Sequence, residues 1–66
     1  MQLGQKIRDL RLRRGLTVQK LAEASGLSKG FVSQLENGRT SPSLATLYDL
    51  AKSLETSVAY LVVEEE

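Results

Sequence analysis

The 66-residue sequence contains no cysteine and no histidine. Without cysteine there is no disulfide to staple a small fold and no thiolate to hold zinc; without histidine the usual general base and the commonest metal ligand are missing too. Most familiar active sites are thereby excluded, and Ser28, Ser33, Ser41, Ser43 and Ser57 have no imidazole to activate them as nucleophiles. The chain is expected not to be an enzyme and to need no cofactor or metal. Long apolar runs are also lacking: the longest, Val58 to Val63, is six residues against the roughly 20 of a membrane-spanning helix. Met1-Gln2-Leu3-Gly4-Gln5-Lys6 leads straight into charged periodic sequence, with no apolar signal region. A cytoplasmic protein with no membrane partner fits these features. So short a chain buries only about 60% of its unfolded surface, so its stability is marginal.

What is present is charge, unevenly placed. Nine Lys and Arg against eight Asp and Glu give a net +1. From Met1 to Pro42 the bases Lys6, Arg8, Arg11, Arg13, Arg14, Lys20, Lys29 and Arg39 outnumber Asp9, Glu23 and Glu36 by five. From Ser43 onward Lys52 stands alone against Asp49, Glu55, Glu64, Glu65 and Glu66, a balance of −4. Such asymmetry suits a polyanionic partner for the first part, an acidic solubilising end for the second, or both. Glu64 to Glu66 read as an acidic tail following a domain over residues 1–63, and a frayed end suits them better than a metal site.

The apolar residues recur at helical spacing, which predicts an all-α fold of five helices. The first spans about Leu3 to Arg14, with Leu3, Ile7 and Leu10 on one stripe, Gly15 as its left-handed stop, and Arg13 and Arg14 at the negative end of its dipole. Thr17 caps a second helix, about Val18 to Ala24, with Val18, Leu21 and Ala22 inward. Ser25-Gly26-Leu27 makes a tight turn, and Ser28 caps a third helix, Lys29 to Glu36, that buries Val32 and Leu35 and ends at Asn37-Gly38. Ser43 caps a fourth, about Leu44 to Leu54, whose apolar face takes in Leu44, Leu47, Leu50, Ala51 and Leu54. Ser57 caps a short fifth, Val58 to about Val62.

Opposite Val32 and Leu35, the third helix presents Lys29, Gly30, Ser33, Gln34 and Asn37 on one face. The face carries no acid. Gln can make the paired donor and acceptor bonds that read adenine in a major groove, and Lys reaches guanine O6 or N7, or a phosphate. Two short helices about a glycine turn, the second with a polar face, make a helix-turn-helix. The same residues would also suit the solvated side of a small bundle, and periodicity by itself does not separate the two.

Leu16-Thr17, Leu21-Ala22, Gly26-Leu27-Ser28, Val32-Ser33-Gln34-Leu35-Glu36-Asn37-Gly38, Ser41-Pro42-Ser43-Leu44 and Leu47 resemble the Cro/C1-type (Xre-family) helix-turn-helix domain of phage repressors and bacterial regulators, over about Leu3 to Leu61. The resemblance implies a compact five-helix domain of the lambda-repressor-like type and a sequence-specific transcriptional regulator, a repressor, bound to double-stranded DNA. It places Lys29, Gly30, Ser33 and Gln34 at base-reading positions, and Thr17, Gln19, Ser28, Asn37 and Arg39 at phosphates. Two positions depart from the pattern. Val18 stands where many relatives have Gln, so that polar contact is lost or moves to Gln19, and Gly30 has no side chain with which to read a base. Phe31 offsets the glycine by packing, or turns its edge to a thymine methyl. The resemblance also implies that Arg11 pairs with Glu36 rather than standing free at the surface.

A homodimer on a two-fold symmetric operator would set two recognition helices about 34 Å apart. Its surface is expected at Tyr60, Val62 and Val63, since so short a terminal helix cannot bury them all. The competing reading is an interaction module on the same fold, antitoxin-like or held by a protein antagonist.

Overall fold

The computed structural model describes residues 2–63; the acidic tail expected at 64–66 lies outside the described residues. Five α-helices follow one another: α1 (Leu3–Arg13), α2 (Val18–Ser25), α3 (Lys29–Glu36), α4 (Leu44–Ser53) and α5 (Val58–Val62). There is no strand among the described residues. The expected boundaries are met within one residue, because the signals that set them are local. Thr17, Ser28, Ser43 and Ser57 each accept, through the side-chain oxygen, the backbone N–H three residues on, satisfying one of the donors a helix start leaves over. The α2 to α3 corner closes where Gly26 takes φ 69° and the Leu27 N–H donates to the Ala22 carbonyl at 2.8 Å.

Ile7 from α1, Leu21 and Ala22 from α2, Val32 and Leu35 from α3, Leu50 and Ala51 from α4, Leu54 at its end and Leu61 from α5 form one core. α3 packs against α1 and α2, α4 against α2 and α5, and α5 returns to α1. Leu44 corrects the expected face of α4. Leu54 and Leu50 are fully buried, Leu47 is half-buried and Leu44 is 63% exposed, so the helix runs outward from the core and its first turn overhangs the edge.

Two features of α1 carry no signature in the sequence. Gly4 lies against the end of α3, where an added Cβ would stand 2.3 Å from the Leu35 carbonyl oxygen and 2.7 Å from that of Glu36. Lys6, counted above among the bases available to a polyanion, is buried with 1% of its surface exposed. Its ammonium donates to the carbonyl oxygens of Tyr60, at 2.9 Å, and Val63, and lies 5.2 Å from the Tyr60 ring centroid. The end of α5 thus supplies the acceptors, and the aromatic face the negative potential, that a buried cation requires.

α4 ends in a left-handed residue that is not glycine: Glu55 has φ 56°. Arg14 reaches it from the end of α1, donating to the Glu55 carboxylate at 2.8 Å and to its carbonyl at 3.5 Å.

Candidate nucleic-acid interface

α3 is fixed from behind and open in front. Val32 and Leu35 are in the core and Phe31, half-buried, packs beside them, which accounts for that aromatic by packing. At the end of the helix Arg11 forms a two-point contact with Glu36, Nε to Oε2 at 2.7 Å and NH2 to Oε1 at 3.1 Å, and its remaining amino group donates to the Leu16 carbonyl at 2.8 Å. The guanidinium and carboxylate side chains are only 10% and 6% exposed. A planar fork on a carboxylate resists rotation about either side chain, so the pair ties α3 to α1 and to the α1–α2 turn.

Lys29, Gly30, Ser33, Gln34 and Asn37 are all exposed on the opposite side. Glu36, the acid nearest to them in sequence, is turned inward and neutralised by Arg11. The outward face therefore offers donors, amide groups and one cation, and no fixed negative charge. Asn37 spends one amide N–H on the Ser33 carbonyl at 2.9 Å, which leaves its oxygen and second N–H outward.

The flanking positions divide. Thr17 and Ser28 use an oxygen lone pair to cap α2 and α3, from Lys20 N–H at 3.0 Å and Phe31 N–H at 3.1 Å; each keeps a hydroxyl hydrogen that can donate outward. At the start of α3 the Lys29 and Gly30 N–H groups have no intrahelical acceptor, at the positive end of the helix dipole. Gln19 is occupied differently, its amide donating to Glu23 at 3.3 Å, while the Lys20 ammonium lies 3.9 Å from the same carboxylate. Arg39 is exposed in the loop after α3, its backbone N–H held by the Gln34 carbonyl at 2.9 Å.

These placements redistribute the charge read from the sequence. Lys6 is buried, Arg11 and Arg14 are paired and Lys20 is near Glu23. Among the described residues Arg8, Arg13, Lys29, Arg39 and, in α4, Lys52 have no carboxylate within salt-bridge distance. At α5 and the residue that follows it, Tyr60, Val62 and Val63 are 40%, 53% and 55% exposed around the buried Leu61. No helix among the described residues is long and apolar enough to cross a membrane, and no group of acidic side chains there could hold a metal ion.

A family model described as helix-turn-helix matches residues 7–61. The HTH-type transcriptional regulator DdrOP3 of Deinococcus deserti is 43% identical over 58 residues, 88% of this chain and 45% of that protein. The immunity repressor protein of Bacillus phage phi105 is 40% identical over 65 residues, 98% of this chain and 45% of its own length. The chain thus spans less than half of either relative. Among solved structures, the P22 c2 repressor in complex with a synthetic operator superposes with a TM-score of 0.93 at 29% identity, covering 98% of both chains.

Proposed function

Because the chain belongs to the Xre/Cro/C1-type helix-turn-helix family, we propose that it is a sequence-specific DNA-binding transcriptional regulator, acting as a repressor with α3 in the major groove. The observation that carries this reading is the exposed, acid-free face of α3 held by a core and an ion pair on its other side. Gln34 suits adenine, Lys29 suits guanine, and Ser33 bonds to either kind of edge. Gly30 lets the helix backbone approach. Thr17, Ser28, Asn37 and Arg39 bind phosphates beside the groove, and Gln19 joins them by exchanging its bond to Glu23 for one to DNA.

One such face makes few base contacts, so the regulator binds as a homodimer through Tyr60, Val62 and Val63, whose exposed apolar surface a second copy would cover. The test is equilibrium binding to duplexes selected from a random library by the protein itself. Affinity for the selected duplex should fall with salt at a log–log slope of about −0.9 per phosphate contacted, and sedimentation at the same concentrations should show two copies. Equal affinity for selected and random duplexes would leave the competing reading, a module held by a protein antagonist or toxin, in its place.

A further inference from the structure

The five glycines of the chain fall into two groups. Gly15, Gly26 and Gly38 hold positive φ at the ends of α1, α2 and α3, and Gly4 makes room for the end of α3. Gly30 has neither reason to be glycine. It is the second residue of α3, its φ is not positive, it is exposed, and an added Cβ would meet nothing within 4 Å. Glycine is a poor helix former, and α3 has only eight residues over which to absorb the loss. A residue that weakens a short helix and serves no contact within the chain is explained by what that helix is pressed against.

We propose that Gly30 is a specificity-determining gap, at which a thymine methyl group of the bound duplex rests directly on the α3 backbone. The inference rests on the DNA-binding reading above. Helical spacing sets Gly30 beside Ser33 and Gln34, one turn on, and next to Lys29. Gly30 has no side chain and Ser33 a small one, while Lys29 and Gln34 on the same face carry long polar ones, a sequence of sizes that leaves room for a shallow notch against the duplex. The C5 methyl is the one apolar group that a base pair presents in the major groove. It fits a notch whose floor is the bare α-carbon of Gly30, and a Cβ at Gly30 would fill that space. Lys29 and Gln34 then read the flanking bases by hydrogen bonding, and the base pair between them is selected by shape.

The experiment compares the wild-type chain with Gly30→Ala on a duplex selected by the wild type, on random duplex, and on copies of the selected duplex in which each thymine in turn is replaced by deoxyuridine, which lacks only the methyl group. For Gly30→Ala the thermal midpoint should rise by roughly 4 °C. Affinity for the selected duplex should fall about tenfold, the scale of an overpacked contact, with binding to random duplex unchanged. One deoxyuridine replacement should weaken the wild type about threefold and leave the variant indifferent. Unchanged affinity and preference in Gly30→Ala would overturn the proposal. So would a fall in its thermal midpoint, which would give the glycine a role in the fold, or deoxyuridine effects equal in the two proteins. A wild type that selects no sequence would refute the DNA-binding reading itself and this proposal with it; a wild type that selects while Gly30→Ala behaves identically would remove the proposal alone.

Discussion

Helix α3 packs on the core along one side and is exposed, among the described residues, along the other, and the two sides are built from different chemistry. On the inner side every group is committed: Val32 and Leu35 lie in the core, the Leu35 and Glu36 carbonyls press on α1 at Gly4, and the Glu36 carboxylate is gripped by Arg11. On the outer side Lys29, Ser33 and Gln34 have side chains with no partner among the described residues. The difference separates two kinds of free energy. Substitutions on the inner side should act on folding, and through folding on everything else; truncation of the outer side chains Lys29, Ser33 and Gln34 should act on binding and leave folding alone. A rigid back is also what allows a polar front to read, since a base contact loses its worth when the helix carrying it can shift by an ångström.

The largest effect should come from Arg11→Ala. Removing one partner of a nearly buried ion pair leaves the Glu36 carboxylate without compensation and costs about 3–5 kcal/mol, against a total of only about 3–10 kcal/mol for a domain of this size. Urea titration should show the loss, and a midpoint within experimental scatter of the wild type would break the inner half of the comparison. Gly4→Ala should follow, at about 2–3 kcal/mol, because the new Cβ meets backbone oxygens that cannot rotate away. If Gly4→Ala proved neutral, α1 and α3 would be free to slide apart, and the rigid back would not exist.

Gln34→Ala breaks or sharpens the outer half. Its side chain is exposed and has no hydrogen bond among the described residues, so folding stability should hold to within about 0.5 kcal/mol of the wild type. Binding to the selected duplex should weaken by about 1–3 kcal/mol, with little change on random duplex. Equal losses on the two duplexes would mean that Gln34 touches the sugar–phosphate backbone and carries no base information.

How much of this was legible in the sequence depends on how far each signal reaches along the chain. Thr17, Ser28, Ser43 and Ser57 cap the helices that follow them through bonds spanning three residues, so local reading finds them. The outer face of α3 is likewise a matter of periodicity within eight residues. Lys6 is different: its acceptors, Tyr60 and Val63, lie 54 and 57 positions away, and nothing near Lys6 distinguishes it from a surface lysine. Gly4 reads as an ordinary weak point in a helix, because the carbonyls it accommodates belong to α3. Leu44 continues the spacing of Leu47 and Leu50, and only the outward course of α4 decides that it is exposed. At the interface, the residue types on α3 were readable from pattern, whereas the bond that draws Gln19 to Glu23 depends on rotamers that spacing leaves open.

The smallest effect belongs to a helix end remote from α3. Glu55 occupies a left-handed position that the ends of α1, α2 and α3 give to glycine, and a side chain there costs about 1–2 kcal/mol. Arg14 returns part of that cost through a bridge whose two side chains are 40% and 70% exposed, and exposed pairs contribute about 0–1 kcal/mol. Glu55→Gly relieves the strain, loses the bridge and gives the unfolded chain extra freedom, worth about 0.4–1 kcal/mol against it. The balance should be a gain of about 0.5 kcal/mol, seen as a rise of two to four degrees in thermal midpoint. Added salt should widen the gap between variant and wild type by no more than the bridge is worth, since the exposed Arg14–Glu55 pair that salt screens is present only in the wild type. The substitution also releases Arg14 and removes a negative charge, so binding to random duplex should strengthen slightly at low salt while the preference for the selected duplex stays as it was. A changed preference would mean that the end of α1 takes part in base recognition, and the outer face of α3 would no longer account for selectivity alone.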